Sequence, residues 1–129
     1  MSIAATPRSA MVDWWTGKTR PADVSARYVT TFNGDPSSGG TENISTITGS
    51  SNRVAITSSM AAASSGAAAS NADITITASA AAGATVDHLG FYDAQTGGNL
   101  IGQCPVTSLT LVTNDSLRIV TGGLSVSIT

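Results

Sequence analysis

Residues 86–104 decide the fold, because they contain two β patterns separated by a tight turn. The first pattern is Val86-Asp87-His88-Leu89-Gly90-Phe91-Tyr92-Asp93, the turn is Gln95-Thr96-Gly97-Gly98, and the second pattern is Asn99-Leu100-Ile101-Gly102-Gln103-Cys104. Successive side chains of a strand point to opposite faces, so Leu89 and Phe91 are expected on one face. The other face is expected to carry Val86, His88, Gly90 and Tyr92. Glycines between two β-rich runs are a hairpin signal, so residues 86–104 predict an antiparallel hairpin.

Short β-rich segments flank this hairpin on both sides. They are residues 24–32, 53–57, 73–77, 109–112, 117–120 and 124–128. Residues 73–77 show the clearest alternation, with Ile74 and Ile76 on one face and threonines between them. Short strands at this spacing, with turn residues between them, are typical of an antiparallel sandwich. The sequence therefore predicts an all-β fold, an antiparallel β-sandwich of about seven or eight short strands with one short N-terminal helix.

The N-terminal helix is predicted between Thr6-Pro7, which suit a helix start, and Gly17, which suits a helix end. Met11, Trp14 and Trp15 fall at i, i+3 and i+4 and form one apolar face. A helix of this length is marginal in water by itself, so it is expected to dock on its own sheet or on a partner. These three residues are the candidate partner interface.

The length of 129 residues predicts a single domain over residues 1–129. Residues 1–22 would be the helix and its connector, and residues 23–129 the β-sandwich. Within the sandwich, residues 58–71 are rich in alanine and serine. The alanines favour a helix by propensity, but the segment lacks an apolar stripe and its neighbours are β-rich. We expect it to be non-helical.

Charge and composition narrow the function. Charged residues make up 11% of the chain and the formal net charge is −2, so no basic excess points to a nucleic-acid partner. No apolar run approaches the roughly 20 residues of a membrane span, and the first residues lack a signal-peptide pattern. Alanine, serine and threonine bury little apolar area each. We therefore expect stability to depend on β-ladder hydrogen bonds and on contacts between chains, as in a homo-oligomer.

Candidate catalytic groups are scarce. The single cysteine, Cys104, and the single histidine, His88, allow neither a disulfide nor a Cys/His zinc site within one chain. Asp87 and His88 are neighbours on a predicted strand, so their side chains are expected to point to opposite faces rather than form a dyad. Cys104 and His88 lie on paired strands. A buried free cysteine that packs as a small apolar residue is the commoner arrangement.

Other candidate ligand sites are equally weak. Oxygen ligands for calcium are available at Asp35, Glu42, Asp93, Asn99 and Asp115, but they lack EF-hand spacing and most lie where turns favour them anyway. Gly97-Gly98 is not followed by the lysine and helix of a phosphate-binding loop. Sugar rings could stack on the aromatic residues Trp14, Trp15, Tyr28 and Tyr92. We expect no catalytic residue, metal ion or cofactor, and therefore no enzyme.

The order of these motifs resembles a family of small tailed-bacteriophage virion structural proteins, the tail-fibre-like or minor tail proteins with an HxGxYDAxTGGN core. Residues 86–102 carry the core, residues 9–15 resemble the family's opening helix, and residues 28–36 resemble its first strand and loop. Residues 113–119 and 123–128 resemble its closing segments. The chain departs from the pattern in its alanine- and serine-rich residues 58–71. It also has Asn114-Asp115 where the family more often has Gly-Asp, and asparagine tolerates the left-handed region.

This resemblance implies a non-enzymatic structural protein of a tailed-phage virion, tail-associated or fibre-like. Such a protein would be assembled in the host cytoplasm and would bind copies of itself and other virion proteins. A capsid decoration protein on the phage head would suit the same fold. A receptor- or glycan-binding module is a third alternative.

Overall fold

A computed structural model describes residues 2–3, 5–19, 26–43, 53–78 and 84–127. Within these residues the chain forms one α-helix and ten strands, and every strand pair is antiparallel. The elements in chain order are β1 (Ser2–Ile3), α1 (Ala5–Trp15), β2 (Tyr28–Asn33), β3 (Thr41–Glu42), β4 (Val54–Ala55), β5 (Ala67–Ala69), β6 (Ile74–Thr77), β7 (Ala84–Tyr92), β8 (Leu100–Leu111), β9 (Ser116–Ile119) and β10 (Ser125–Ser127). The predicted all-β, antiparallel fold with one short N-terminal helix is confirmed.

Six strands form the larger sheet, in the order β1-β8-β7-β2-β3, with β4 also paired to β2. Two ribbons of two strands, β5 with β10 and β6 with β9, complete the structure. Ile74 and Ile76 of β6 are buried in the same apolar cluster as Val29 of β2 and Phe91 of β7. The β6–β9 ribbon and the large sheet therefore share one core, as in a sandwich.

The strand count differs from the prediction through two effects of opposite sign. The very short strands β1, β3 and β5 have no strong sequence signal, because two or three residues are too few to show a period. In the opposite direction, residues 99–104 and 109–112 were predicted as separate strands, but they belong to the single strand β8, Leu100–Leu111. Pro105, which suggests a break, lies within that strand, opposite His88.

The register between β7 and β8 is irregular, and this corrects the predicted faces of β7. Val86 pairs with Leu109 but His88 pairs with Pro105, so residues 106–108 of β8 oppose Asp87 alone. Extra residues of this kind form a bulge that bends a strand and changes which face its side chains occupy. Val86 therefore joins Leu89 and Phe91 in the core, although strict alternation predicts it on the opposite face.

Several local predictions are confirmed. The helix ends at Trp15 and Gly17 has φ +80°, as a helix stop requires, although the helix begins one residue before Thr6. Asn114 has φ +69°, in the left-handed region that asparagine tolerates. Residues 58–71 contain no α-helix. They contain β5 and the isolated bridges Met60–Ser70 and Ser64–Ala67, and a short 3-10 turn spans Thr57–Ser59.

Some predictions lie outside the described residues. The first two residues of the predicted strand 24–32 do so, and the strand that the structure describes is Tyr28–Asn33. The predicted boundary between residues 1–22 and 23–129 also falls there, so the division of the chain stays a prediction. Residues 2–3 before the helix form a strand that pairs with β8.

Substitution of Ile76 by alanine tests the shared core. Ile76 is fully buried on the inward face of β6, whereas Thr75 beside it is exposed. We expect Ile76→Ala to lower the free energy of unfolding by about 2–5 kcal/mol, since it leaves a cavity among packed side chains. Thr75→Ala, the matched control, is expected to cost less than about 1 kcal/mol. Urea unfolding measures both, and equal losses would contradict the assigned faces.

Candidate functional site

The helix α1 presents a surface of large apolar side chains to solvent. Trp15 is 87% exposed, Val12 58%, Trp14 57% and Met11 36%. These four residues, which we call the apolar helix face, line an open depression of about 420 Å³. Large apolar side chains seldom cluster on a protein surface unless they contact a partner. The structure thus brings the predicted residues Met11, Trp14 and Trp15 together and leaves them uncovered by the described part of the chain.

Val12 belongs to this surface but was not predicted. At 100° per residue, Met11, Val12, Trp14 and Trp15 span an arc of roughly 160° around the helix. The i, i+3, i+4 spacing selects the roughly 100° between Trp14 and Trp15 and leaves Val12 at the opposite margin of the arc. Val12 could have been predicted from the width of the apolar stripe, which exceeds the roughly 100° that a core-facing helix needs.

A second apolar surface lies at the edge of the core. Its cavity has a volume of about 550 Å³, and we call it the apolar groove. The side chains that line it include Arg27, Ile56, Met60, Phe91, Ile101 and Val126. Phe91 pairs with Gly102 and Tyr92 pairs with Leu100, so Ile101 is an extra residue of β8 without a partner on β7. This second bulge contributes the Ile101 side chain to the groove wall. No sequence pattern predicted the groove.

The side chain of Arg53 donates four hydrogen bonds to other described residues. It is only 6% exposed, and its Nε and Nη2 donate to the two carboxylate oxygens of Glu42 at 2.8 and 3.0 Å. Its Nη1 donates to the carbonyl oxygens of Ala94 and Gly97 at 3.0 and 2.6 Å. The guanidinium carbon lies 3.5 Å from the ring centre of Tyr92. A buried guanidinium with its donors used in this way holds several segments in one geometry.

The hairpin tip, residues 93–99, is held by its own side chains as well. The Asp93 carboxylate accepts hydrogen bonds from the backbone N–H of Asn99 at 2.7 Å and from its side-chain amide at 3.0 Å. Gly97 and Gly98 have φ of +62° and +70°, a conformation that favours glycine. The tip is therefore a fixed loop, clasped from below by Arg53.

Aromatic rings pack on the face of the sheet opposite the core cluster. Phe32 and Tyr92 stack with ring centres 6.4 Å apart and planes 8° from parallel. A Cβ at Gly90 would lie 2.7 Å from the Phe32 ring, so glycine is needed for this close approach. Tyr28 pairs with Tyr92 across β2 and β7, and burial raises the pKa of Tyr92. The predicted sugar-stacking aromatics are thus split between this face and the helix.

Asp87 and His88 form a contact that the sequence did not predict. Asp87 Oδ1 lies 2.9 Å from His88 Nδ1 and accepts a hydrogen bond from the Gly34 N–H at 2.7 Å. The hydrogen bond with His88, followed by the one from Gly34, lowers the pKa of Asp87. The two side chains meet because the register shift at Asp87 breaks the alternation that would separate them. Among the described residues, Asp87 is the only hydrogen-bond partner of the imidazole.

The remaining candidates are placed apart from one another. Cys104 is half-buried opposite Leu89, and burial raises the pKa of its thiol, which disfavours the reactive thiolate. Carboxylates suggested for calcium contact local partners instead: Asp35 accepts from Ser37, Glu42 from Arg53, Asp93 from Asn99 and Asp115 from the Val112 N–H. Among the described residues no three histidine, cysteine or acidic side chains are grouped to hold a metal ion. The helix described is also too short and too polar to span a membrane.

Comparison with known protein families relates the chain to a phage protein family. Residues 2–127 match the sequence model of the family described as podophage GP4 fiber I protein gp80. The match covers the helix and every strand of the described fold. No curated protein matches the chain.

Substitution of Arg53 tests whether this residue holds the hairpin tip. We expect Arg53→Met to lower the free energy of unfolding by about 3–5 kcal/mol, because the half-buried Glu42 carboxylate and two carbonyls lose their partner. Arg118 is the matched control, since it pairs with Asp73 but is 62% exposed. Arg118→Met is expected to cost at most about 1 kcal/mol. Comparable losses for the two variants in urea unfolding would refute the role of Arg53.

The Asp93 clasp predicts a dependence of stability on pH. The backbone hydrogen bond from Asn99, with its side-chain amide second, lowers the pKa of Asp93 in the folded state. A lowered pKa stabilises the fold above the unfolded value of about 3.9, and this contribution disappears as the pH falls through the folded value. We expect Asp93→Asn to reduce the loss of melting temperature between pH 6 and pH 3. An unchanged loss would show that this carboxylate contributes nothing.

Proposed function

We propose, because the chain belongs to the family of the podophage GP4 fiber I protein gp80, that it is a non-enzymatic structural protein of a tailed-phage tail fibre. The family match over residues 2–127 is the observation that carries this proposal. Since the match includes the helix and every described strand, the relationship concerns the whole of the described fold. The family indicates a virion component. The proposed partners are copies of this chain and other virion proteins.

The apolar helix face supports an assembly role. Aromatic side chains are enriched among the residues that dominate binding energy at protein interfaces. Trp14 and Trp15 are the only tryptophans of the chain, and both lie on the short helix, away from the core. A fold that places its largest apolar side chains outside its core gains from a partner that covers them. We therefore assign Met11, Trp14 and Trp15 as the anchor to a neighbouring virion protein.

The chemistry of the described polar residues supports a role without catalysis. The carboxylates of Asp87 and Asp93 hold a backbone N–H each, and the Arg53 guanidinium holds two backbone carbonyls. These contacts fix loops against the sheet. The Cys104 thiol is half-buried with a raised pKa, which suits packing better than nucleophilic attack.

Replacement of both tryptophans tests the anchor. We expect Trp14→Ala/Trp15→Ala to reduce incorporation into particles about tenfold, with a much smaller effect on the urea midpoint of the isolated protein. Quantitative mass spectrometry of purified particles measures the copies per particle. The matched control is Val112→Ala/Val120→Ala, which removes apolar side chains of 54% and 53% exposure elsewhere. Removal of residues 1–17 also deletes β1, so the point variants separate docking from loss of a strand.

Normal incorporation of the double tryptophan variant would exclude the helix as anchor. Immunogold electron microscopy of the same particles tests the position, and we expect label on the tail. Label spread over the head, at many copies per particle, would support capsid decoration instead. Absence of the protein from purified particles would refute the structural role altogether.

A further inference from the structure

The described residues leave both the apolar helix face and the apolar groove uncovered, and the two surfaces lie on the same chain. We propose that the helix face of one copy docks in the groove of a second copy, with Trp14 or Trp15 entering the cavity. This inference rests on the self-assembly part of the proposed function and specifies the two surfaces that meet. The exposed apolar helix of one copy would fill the apolar cavity of the next.

The position of the helix start argues for a second copy rather than the same chain. Ile3 of β1 pairs with Gly102, next to Ile101 in the groove wall, and α1 begins at Ala5. A helix rises 1.5 Å per residue, so Trp15 lies about 15 Å along the axis from Ala5. A straight helix cannot return its far end to the place where it begins. While β1 stays paired, the indoles are thus directed to a neighbour, in agreement with 87% exposure at Trp15.

The groove wall is chemically complementary to indole rings. Ile56 and Phe91, only 6% and 5% exposed, form the base of the groove, Ile101 adds a half-buried apolar side chain, and Met60 offers a thioether, which contacts aromatic rings favourably. Arg27 adds a positive charge. In the described residues its guanidinium donates to the carbonyl of the adjacent Ala26 at 3.3 Å, and its charge, after the hydrogen bonds from Asn99, helps to lower the pKa of Asp93 without forming a salt bridge to that carboxylate. A guanidinium without a strong partner is suited to a cation–π contact with tryptophan, the ring that binds cations best.

The size of the contact sets what assembly it can support. Two tryptophans bury roughly 300–500 Å², which is about half of the 800 Å² per partner that a standard stable interface uses. Helix and groove are different surfaces, so the contact is heterologous. Each copy then donates one helix and accepts another, and every copy in a closed ring makes two such contacts. A ring doubles the buried area per copy, which compensates for a small single contact.

Two complementary variants test the proposal. The helix variant, Trp14→Ala/Trp15→Ala, keeps its groove, and the groove variant, Ala62→Phe, fills the cavity but keeps its helix. Ala62 lines the groove and is exposed, so the larger side chain does not disturb the core. Ala67→Phe, at an exposed position that does not line the groove, is the matched control. Arg27→Glu is a second groove variant for use if Ala62→Phe fails to fold by circular dichroism.

Sedimentation equilibrium of the full-length proteins gives the outcome. We expect the wild type and Ala67→Phe to self-associate, and each helix or groove variant alone to associate at least about tenfold more weakly. An equimolar mixture of the helix variant and the groove variant is expected to form a 1:1 heterodimer. Only one intact helix and one intact groove remain in that mixture, so growth stops at two chains. Tryptophan emission should shift to shorter wavelength as the heterodimer forms, because both tryptophans of the groove variant lie on its helix.

Three results would overturn the proposal. A wild-type chain that stays monomeric at high concentration excludes the contact. A groove variant that associates as strongly as the wild type indicates that helix packs on helix. A mixture without heterodimer shows that helix and groove do not meet. None of these results affects the fibre role, which depends on the presence of the protein in particles and is measured separately.

Discussion

The pairing of β7 with β2 on one side and β8 on the other is the constraint on which the rest of the structure depends. Both ladders run along most of β7, and the β8 ladder contains two irregularities. The first brings Val86 into the core and places Asp87 beside His88. The second leaves Ile101 unpaired, so that its side chain lines the apolar groove. The position of Val86 in the core, the contact between Asp87 and His88, and the Ile101 wall of the groove thus all follow from the register shifts between β7 and β8.

The sequence predicts the parts of this fold that have a strong local signal. The Ile74/Ile76 alternation, the glycine-rich turn at residues 95–98 and the helix before Gly17 all specify their structure within a few residues. Bulges carry no comparable signal, because an extra residue on one strand is visible only once its partner strand is known. For that reason strict alternation placed Val86 on the wrong face and separated Asp87 from His88.

The candidate site shows the same division between local and distant information. Helical spacing identified Met11, Trp14 and Trp15, and the structure groups them with Val12 on one exposed surface. The groove is assembled from β7, β8 and β10, from Arg27 just before β2 and from residues 56–62, so its residues are far apart in the chain. The role of Arg53 in holding the hairpin tip was likewise not predicted from the sequence. Its partners Glu42, Ala94 and Gly97 are brought to it only by the folded sheet.

The clasp on the hairpin tip has a consequence for how the surface of this protein can change. Arg53 donates hydrogen bonds to main-chain carbonyls, and Asp93 accepts one from a main-chain N–H. The backbone conformation of the loop therefore does not depend on the side chains at its apex. Gln95 and Thr96 are exposed there. Substitutions at these two positions are therefore compatible with the same backbone conformation. The surface chemistry of the hairpin apex can accordingly change without refolding of the domain beneath it.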